Sequence, residues 1–413
     1  MTKKKILFLF QYFRHPGEPG GTRIYWIAKA FVDAGYHVTV ITQKNSFNPE
    51  NKNAPRIERA NLEGIDIVYI KNPYSNEFSY FKRIYVYFRF MIKSTWHSLK
   101  EKDVSLVIAT STPLSIGVPA LAMKIFRKVP FVFEIRDLWP EVPIQMGIIK
   151  NPVLIKAFRW FEHILYKKSE HVVAASPGMA KGVLKRLPSK EITVIPNMAK
   201  TDRFWPREKK QGVANRLGLP KNSFKIIHFG TMGDVNGLDN FVDAASLSLK
   251  KGYQDIDFIL SGSGKKKSEF RKRIITEKIS NLYIFDRMPM AEISELVNLC
   301  DVSYVGVSKY KILEINSANK FFDSLSAGKP IIINFGGWMQ NIIEKGECGF
   351  KVDATDPNDL LKQILHLKEN PELGLQLGKN ARKIAETEFD VSILCPKYVS
   401  LVDAVFSKLE KES

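Results

Sequence analysis

Residues 6–41 read ILFLFQYFRHPGEPGGTRIYWIAKAFVDAGYHVTVI, and this stretch decides the fold. Ile6 to Phe10 is a continuous apolar run, as expected of a strand buried on both faces. A loop with Gly17, Gly20 and Gly21 follows, then a helical pattern from Thr22 to Ala34 closed by Gly35, and His37 to Ile41 is the next strand. Together they make a βαβ unit. The alternation continues through strand-like Ile65 to Ile70, Leu106 to Ala109, Phe131 to Ile135, His171 to Ala174 and Ile192 to Ile195, with helical patterns between them. The first half is therefore expected to be a doubly wound parallel sheet.

A basic, weakly periodic stretch from Thr201 to Ser223 holds Pro206, Gly212, Gly218 and Pro220, and reads as a linker. The pattern then restarts with strands at Lys225 to Phe229, Asp257 to Leu260, Leu282 to Phe285, Val302 to Val305, Ile331 to Asn334 and Phe350 to Val352. The expected organisation is α/β: two doubly wound Rossmann-like domains facing across a cleft, at 1–200 and 223–388, a linker at 201–222, and a C-terminal helix, 389–413, packing back on the first domain. Loops at the carboxyl ends of parallel strands are where ligand chemistry is expected.

The chain has 413 residues, 45% apolar and 25% charged, enough for two or three domains with cores of their own and unlike disorder or low complexity. Lys and Arg number 62 against 43 Asp and Glu, a net charge of +19 that suits nucleic acid, anionic lipid or phosphorylated small molecules. Cys300, Cys348 and Cys395 are too far apart for a zinc site or a disulfide framework, which fits a reducing compartment. The apolar run at the start ends at Phe10, short for an export signal, and Arg or Lys interrupts every candidate for the roughly 20 apolar residues of a membrane span. Any membrane contact is expected from one side.

Ser261-Gly262-Ser263-Gly264-Lys265-Lys266-Lys267-Ser268 looks like a phosphate loop but fails both standard patterns. A Walker A loop needs glycine where Ile259 stands, and a dinucleotide fingerprint needs it at Lys267. What is left is a tight turn into a basic helix, either meeting phosphate or simply solvated. A second anion site is Asn316-Ser317-Ala318-Asn319-Lys320, ahead of a short helix that ends at Gly328-Lys329-Pro330, with Ser317 as expected N-cap and Gly328 as the residue past the end. Free amides at that helix start suit phosphate oxygens, Lys320 adds a charge, and Asp323 either reaches a ribose diol or is merely solvated.

Arg136 and Asp137 follow the Phe131 to Ile135 strand, ahead of Leu138-Trp139-Pro140-Glu141. A carboxylate beside a guanidinium positions an acceptor hydroxyl or pins a loop as an ion pair. Asp255-Ile256-Asp257 precedes its strand and is read as structural. Seven histidines, among them His15, His97 and His228, show no metal spacing, and there is no Gly-x-Ser-x-Gly elbow, so no metal site and no serine hydrolase is expected. From Tyr80 to Lys93, Lys82, Arg89 and Lys93 share one helical face, with Arg83 beside them and aromatics around the rest. That composition fits either an anionic bilayer interface or a buried helix with a basic rim.

These residues together resemble the GT-B glycosyltransferases of family 4 over essentially the whole chain. Ile195-Pro196-Asn197 with Asp202-Arg203-Phe204 resembles the family's domain-joining signature; Gly230-Thr231-Met232-Gly233 with Asn236-Gly237-Leu238 resembles its first nucleotide-side loop. The stretch from Asn281-Leu282 to Asp301-Val302, which includes Met288, resembles its base-binding region, and Asp323-Ser324-Leu325-Ser326-Ala327-Gly328-Lys329-Pro330 its ribose-binding helix. Arg136-Asp137-Leu138-Trp139-Pro140-Glu141 is similar to the N-acetyl-L-fucosamine transferase-like branch of bacterial surface-polysaccharide enzymes.

The resemblance implies a retaining glycosyltransferase without metal or other cofactor. Its donor is implied to be a nucleotide sugar, UDP-linked, such as a UDP-N-acetyl amino sugar like UDP-L-FucNAc, bound in the C-terminal domain. The acceptor is implied to be lipid-linked or a saccharide, at the N-terminal domain, in O-antigen or capsule synthesis. The implied donor residues are Gly20, Gly21, Arg23, Gly230, Thr231, Lys267, Met288, Glu314, Ser317, Ala318, Asn319, Lys320 and Asp323; the implied catalytic residues are Asp137 and Arg136. Lys82, Arg83, Arg89, Lys93 and Trp139 are assigned to the acceptor or an anionic membrane surface, with the protein cytoplasmic and peripheral at the inner face.

The sequence also departs from the family. The basic pair that grips the diphosphate in many relatives falls here at Thr231 and Asn236, and eight positions before Asp323 stands Ile315 rather than a carboxylate, with Glu314 one residue early. Two rival functions are weighed: a non-hydrolysing UDP-sugar 2-epimerase, and a nucleic-acid-binding protein, for which no recognition motif is present.

Overall fold

The computed structural model describes residues 4–18, 20–44, 56–72 and 78–412, except the side chains of Tyr80, Phe81, Arg83 and Gln211. The chain divides into two compact units, one of Met1–His15, Thr22–Pro196 and Leu394–Ser413, the other of Pro16–Gly21 and Asn197–Ile393. The stretch expected as a linker belongs to the second unit, because Phe204, Ala214 and Leu219 are buried in its core beside Ile227 and Leu296.

The first unit holds strands β1 (Lys5–Leu9), β2 (His37–Lys44), β3 (Ile57–Leu62), β4 (Ile65–Lys71), β5 (Val104–Thr110), β6 (Phe131–Ile135), β7 (His171–Ala174) and β8 (Ile192–Val194). Their order in the sheet is β3-β4-β2-β1-β5-β6-β7-β8, parallel except for β3. Ile6 to Leu9 are fully buried, as the unbroken apolar run requires of a strand covered on both faces. β3 is an addition to the expected strands. It pairs antiparallel with β4 through a two-residue turn in which Glu63 and Gly64 both take positive φ, the geometry that matches strand twist. The helix Val391–Glu412 packs on this unit by Tyr398 against Phe31 and Phe406 against Tyr36.

The second unit holds β9 (Phe224–Thr231), β10 (Ile256–Ser263), β11 (Leu282–Phe285), β12 (Val302–Val305), β13 (Ile331–Ile333) and β14 (Gly349–Lys351). All are parallel, in the order β11-β10-β9-β12-β13-β14. The direction of winding reverses between β9 and β12, which makes the carboxyl ends of those two strands the place where such a sheet opens to a ligand. Phe241, Phe258 and Tyr304 fill the core on one side of the sheet.

Candidate functional site

β9 and β12 pair at Ile226 with Val302 and at Ile227 with Ser303, and then part. A side chain takes over from the backbone ladder: the Nδ1 of His228 lies 3.1 Å from the carbonyl oxygen of Tyr304. His228 is fully buried, and burial followed by the nearby Lys320 charge holds its pKa well below the usual value, so the ring is neutral. With its proton on Nδ1, toward the Tyr304 carbonyl, the neutral ring keeps Nε2 as an acceptor, and the Thr231 carbonyl is a second backbone oxygen near the ring. Lys320 Nζ donates to that nitrogen at 3.1 Å. The Asn236 amide, oriented so that its nitrogen donates to the Thr231 carbonyl at 2.9 Å, accepts from the same Nζ at 3.0 Å.

An ammonium has three protons, and two neutral acceptors take two of them. No carboxylate pairs with Lys320 among the described residues, and burial alone lowers its pKa to about 7. Gly230 makes room for this arrangement. Its φ is +124, and a Cβ there would stand 3.2 Å from Lys320 Cε and 3.5 Å from Nζ. A lysine from the helix after β12 thus sets a cation beside Gly230, Thr231 and Asn236, where the loop after β9 has none of its own.

That helix, Asn319–Ser326, begins one residue later than expected, with Ala318 as its uncapped first boundary. Ser317 is not the cap: its hydroxyl accepts from the Asn197 backbone at 3.1 Å and fastens the chain entering the unit. Asn319 and Lys320 therefore open the helix with no side chain over their amides, a setting that favours an anion. Gly328 ends the helix at φ +60, as expected. Asp323 is buried and forms a 2.5 Å ion pair with Lys200, so its charge is already met inside the unit. Burial raises its pKa while Lys200 opposes the rise. Glu314 pairs with Lys311 at 2.8 Å and its backbone lies against Gly337.

The glycines of the Ser261 to Ser268 stretch have a packing reason. A Cβ on Gly262 would lie 1.8 Å from the Gly230 carbonyl oxygen, and one on Gly264 would lie 2.3 Å from that of Met232. They let β10 and its turn close on β9. Lys267 is ion-paired to Asp286, and Lys266 to Asp239 at 2.6 Å, so this basic turn carries its own counter-charges. Met288 is half-buried against the core cluster of Phe204 and Leu296.

In the first unit the expected donor residue Arg23 does something else. Its side chain is buried, its Nη2 lies 2.7 Å from Glu134 Oε1, and it also donates to the carbonyls of Ile195, at 2.8 Å, and Pro196. Glu134 Oε2 accepts from Thr110 at 2.9 Å. Arg23 is thus a structural tie between the first helix, β6 and the chain after β8, with no charge left over for a diphosphate. Gly20 takes φ +127, and with Gly21 it belongs to the segment grouped with the second unit.

One residue beyond β6, the Arg136 guanidinium lies 5.4 Å from the Phe10 ring centre, and its buried Nε has no hydrogen-bond partner among the described residues. Asp137 Oδ2 accepts from Thr112 at 2.7 Å; burial raises its pKa, against the Thr112 bond and the Arg136 charge. A carboxylate with a raised pKa, held by one hydroxyl, is suited to take a proton from an alcohol. Trp139 stacks edge-on to Phe158 at 5.9 Å.

The helix Tyr80–Lys100 presents a different face from the one expected. Arg89 turns inward to Asn72 at 2.8 Å and the Lys71 carbonyl at 3.1 Å, and Lys93 reaches the same carbonyl at 3.4 Å. The Arg83 side chain lies outside the described residues. The outward row is Tyr85, Phe88, Ile92 and Trp96, each more than half exposed, flanked by Ile84. Lys82 over Phe78 and Lys100 over Trp96 mark its two ends. Among the described residues no helix is long and apolar enough to cross a membrane.

Of the expected donor residues, the structure brings together Gly230, Thr231, Asn319 and Lys320. It gives Arg23, Lys267, Ser317 and Asp323 partners of their own. Sequence reasoning missed His228 and Asn236 as partners of Lys320; a histidine inside an otherwise apolar strand was the available signal.

Residues 20–203 match the family Glycosyltransferase Family 4, and residues 210–384 match Glycosyl transferases group 1. The chain is 23% identical over 333 residues to the probable glycosyltransferase WbjE of Pseudomonas aeruginosa, spanning 79% of this chain and 80% of that one. It is 22% identical over 319 residues to the alpha-monoglucosyldiacylglycerol synthase of Acholeplasma laidlawii, spanning 74% and 78%. Among solved structures, Anabaena Alr3699/HepE in complex with UDP-glucose superposes with a TM-score of 0.70 at 19% identity, over 97% of this chain and 99% of that one. The sucrose-phosphate synthase of Thermosynechococcus elongatus gives 0.74 at 15% identity, over 98% and 100%.

Proposed function

The chain is a glycosyltransferase of the GT-B fold, carrying a Glycosyltransferase Family 4 region followed by a Glycosyl transferases group 1 region, and from that premise we propose that its second unit binds a UDP-sugar through Lys320. The observation that carries this reading is the Lys320 ammonium at the β9–β12 switch point, held among the described residues by neutral acceptors and beside uncapped helix amides. Such a group lacks an anion of its own and is ready for one on a ligand. UDP, described with Alr3699/HepE, supplies an anion of that kind.

In this reading the bond between the anomeric carbon and the β-phosphate oxygen breaks, and a bond to the acceptor oxygen forms with retained configuration. Lys320 and the Asn319 end of the helix stabilise the charge that develops on the diphosphate. Asp137 takes the proton of the acceptor hydroxyl, and Arg136, which lacks an ion pair among the described residues, steadies the negative charge nearby. No group of three or more His, Cys, Asp or Glu side chains gathers into a metal site among the described residues.

The acceptor is lipid-linked or a saccharide of a surface polysaccharide. Two observations support a lipid setting: the exposed row of Tyr85, Phe88, Ile92 and Trp96, and the likeness to an enzyme whose name gives a glycosylated diacylglycerol as its product. With Arg89 and Lys93 turned inward, the lipid contact is mainly apolar, with the +19 charge of the chain drawing it to anionic surfaces. Calorimetric titration with UDP, against GDP, ATP and NAD, tests the donor. Selective uptake of UDP is expected; equal binding of all four, or of none, contradicts the reading.

A further inference from the structure

The donor reading leaves open how a lysine far along the chain is held over a loop that lacks its own cation. We propose that His228 is a positioning residue for the donor diphosphate: with Nδ1 fixed on the Tyr304 carbonyl, its Nε2 and the Asn236 oxygen aim the third proton of Lys320 at a phosphate oxygen. This rests on the donor site described above and adds the residue that builds it.

β9 and β12 stop pairing after Ile227 and Ser303, and the next backbone bond between the two segments comes only past the strand ends, from Ser308 to the Val235 carbonyl at 2.8 Å. The imidazole spans that gap, with one nitrogen on β12 and the other on the helix that follows it. A lysine side chain turns about four bonds and loses that freedom when it is fixed on a ligand. Two acceptors at 3.1 and 3.0 Å fix it before any ligand arrives. Both are neutral, so they orient the ammonium without cancelling its charge, which a carboxylate in either place would do. Gly230 completes the device, since a side chain there would crowd Lys320 Cε at 3.2 Å.

The titratable groups next to Lys320 are His228 from β9, Tyr304 behind it from β12, and Asp323 on its own helix, which is paired to Lys200. None of them gives Lys320 a negative partner.

The test is calorimetric titration of the full chain with UDP in five forms: wild type, Lys320→Met, His228→Phe, His228→Gln, and the Lys320→Met/His228→Phe double variant. His228→Phe is expected to weaken UDP about tenfold. His228→Gln, whose amide oxygen replaces Nε2, is expected to restore most of that loss. The double variant should bind no more weakly than Lys320→Met alone, because His228 acts only through Lys320. If the phenyl ring is not accommodated, His228→Asn takes its place, keeping the Tyr304 contact and removing the acceptor for Lys320, with the same loss expected. Wild-type affinity in His228→Phe or His228→Asn, alongside a loss in Lys320→Met, overturns the role of His228 and leaves the donor site standing. Unchanged affinity in Lys320→Met removes the donor site, and the role of His228 with it.

Discussion

Arg23, buried, and Lys320, half-buried, are both cations near the start of a helix that follows a loop at the carboxyl edge of a parallel sheet, one in each unit, yet they have opposite fates. Arg23 meets Glu134 at 2.7 Å and two backbone carbonyls, and every part of its charge is answered from within the fold. Lys320 meets an imidazole nitrogen and an amide oxygen, and no carboxylate among the described residues. Position in the fold thus does not separate a structural cation from a ligand-binding one. The partner does: a carboxylate makes the cation a fastening, whereas neutral acceptors hold it in place and leave its charge for something else.

The sharpest way to break that contrast is to remove the partners. Glu134→Ala strands a buried guanidinium and should cost about 3–5 kcal/mol of stability, read by urea or thermal unfolding. Lys320→Met removes a cation that has no counter-charge, and should leave stability unchanged or raised. A tolerated Glu134→Ala together with an unfolded Lys320→Met would invert the comparison.

A second variant sharpens the division of labour between the units. Asp137→Asn should lower transfer by about a hundredfold or more while leaving UDP affinity unchanged, measured by turnover and titration side by side. Turnover at the wild-type level would remove Asp137 from the chemistry.

The third prediction concerns pH. The Lys320 pKa lies near 7 in the free protein, below its unfolded value, because burial penalises the charge. A bound diphosphate favours the charged form, so above pH 7 binding must bring a proton with it, and UDP affinity should fall, at most about tenfold per unit. Toward lower pH the terminal phosphate of UDP loses its second charge near pH 6. Affinity should therefore be greatest between about pH 6 and 7, and in Lys320→Met the fall above 7 should vanish. The same fall persisting in that variant would assign the titration elsewhere.

The smallest effect expected is at the lipid surface. Phe88→Ser with Trp96→Ser should lower co-sedimentation with anionic vesicles more than Lys93→Glu does, because the outward row is apolar and Lys93 reaches the Lys71 carbonyl. The reverse order would return the contact to charge.

Much of this was legible in the sequence. The unbroken run Ile6 to Leu9, and Phe131 to Ile135 with Glu134 as its one polar residue, named their strands because a parallel sheet buried on both faces leaves no polar alternation. The place of Lys320 at a helix start was legible as well. Its partners were not, since His228 and Asn236 reach it only after β9 and β12 part and an amide turns, and neither event has a local pattern. The internal pairing of Arg23 was hidden for the same reason in reverse. Its carboxylate stands 111 residues away, yet Glu134 inside an apolar strand was the clue, because a buried acid requires a cation. β3 escaped because Glu63-Gly64 is a less familiar turn pair than Asn-Gly and the alternation of Ile57 to Leu62 is weak.

The central claim, that Lys320 receives the donor diphosphate, is tested most directly by a crystal structure of this protein with UDP. The account predicts a phosphate oxygen about 2.8 Å from Lys320 Nζ, with His228 Nε2 and the Asn236 oxygen still on the same nitrogen. A diphosphate bound to Lys267 instead, with Lys320 untouched, would contradict it.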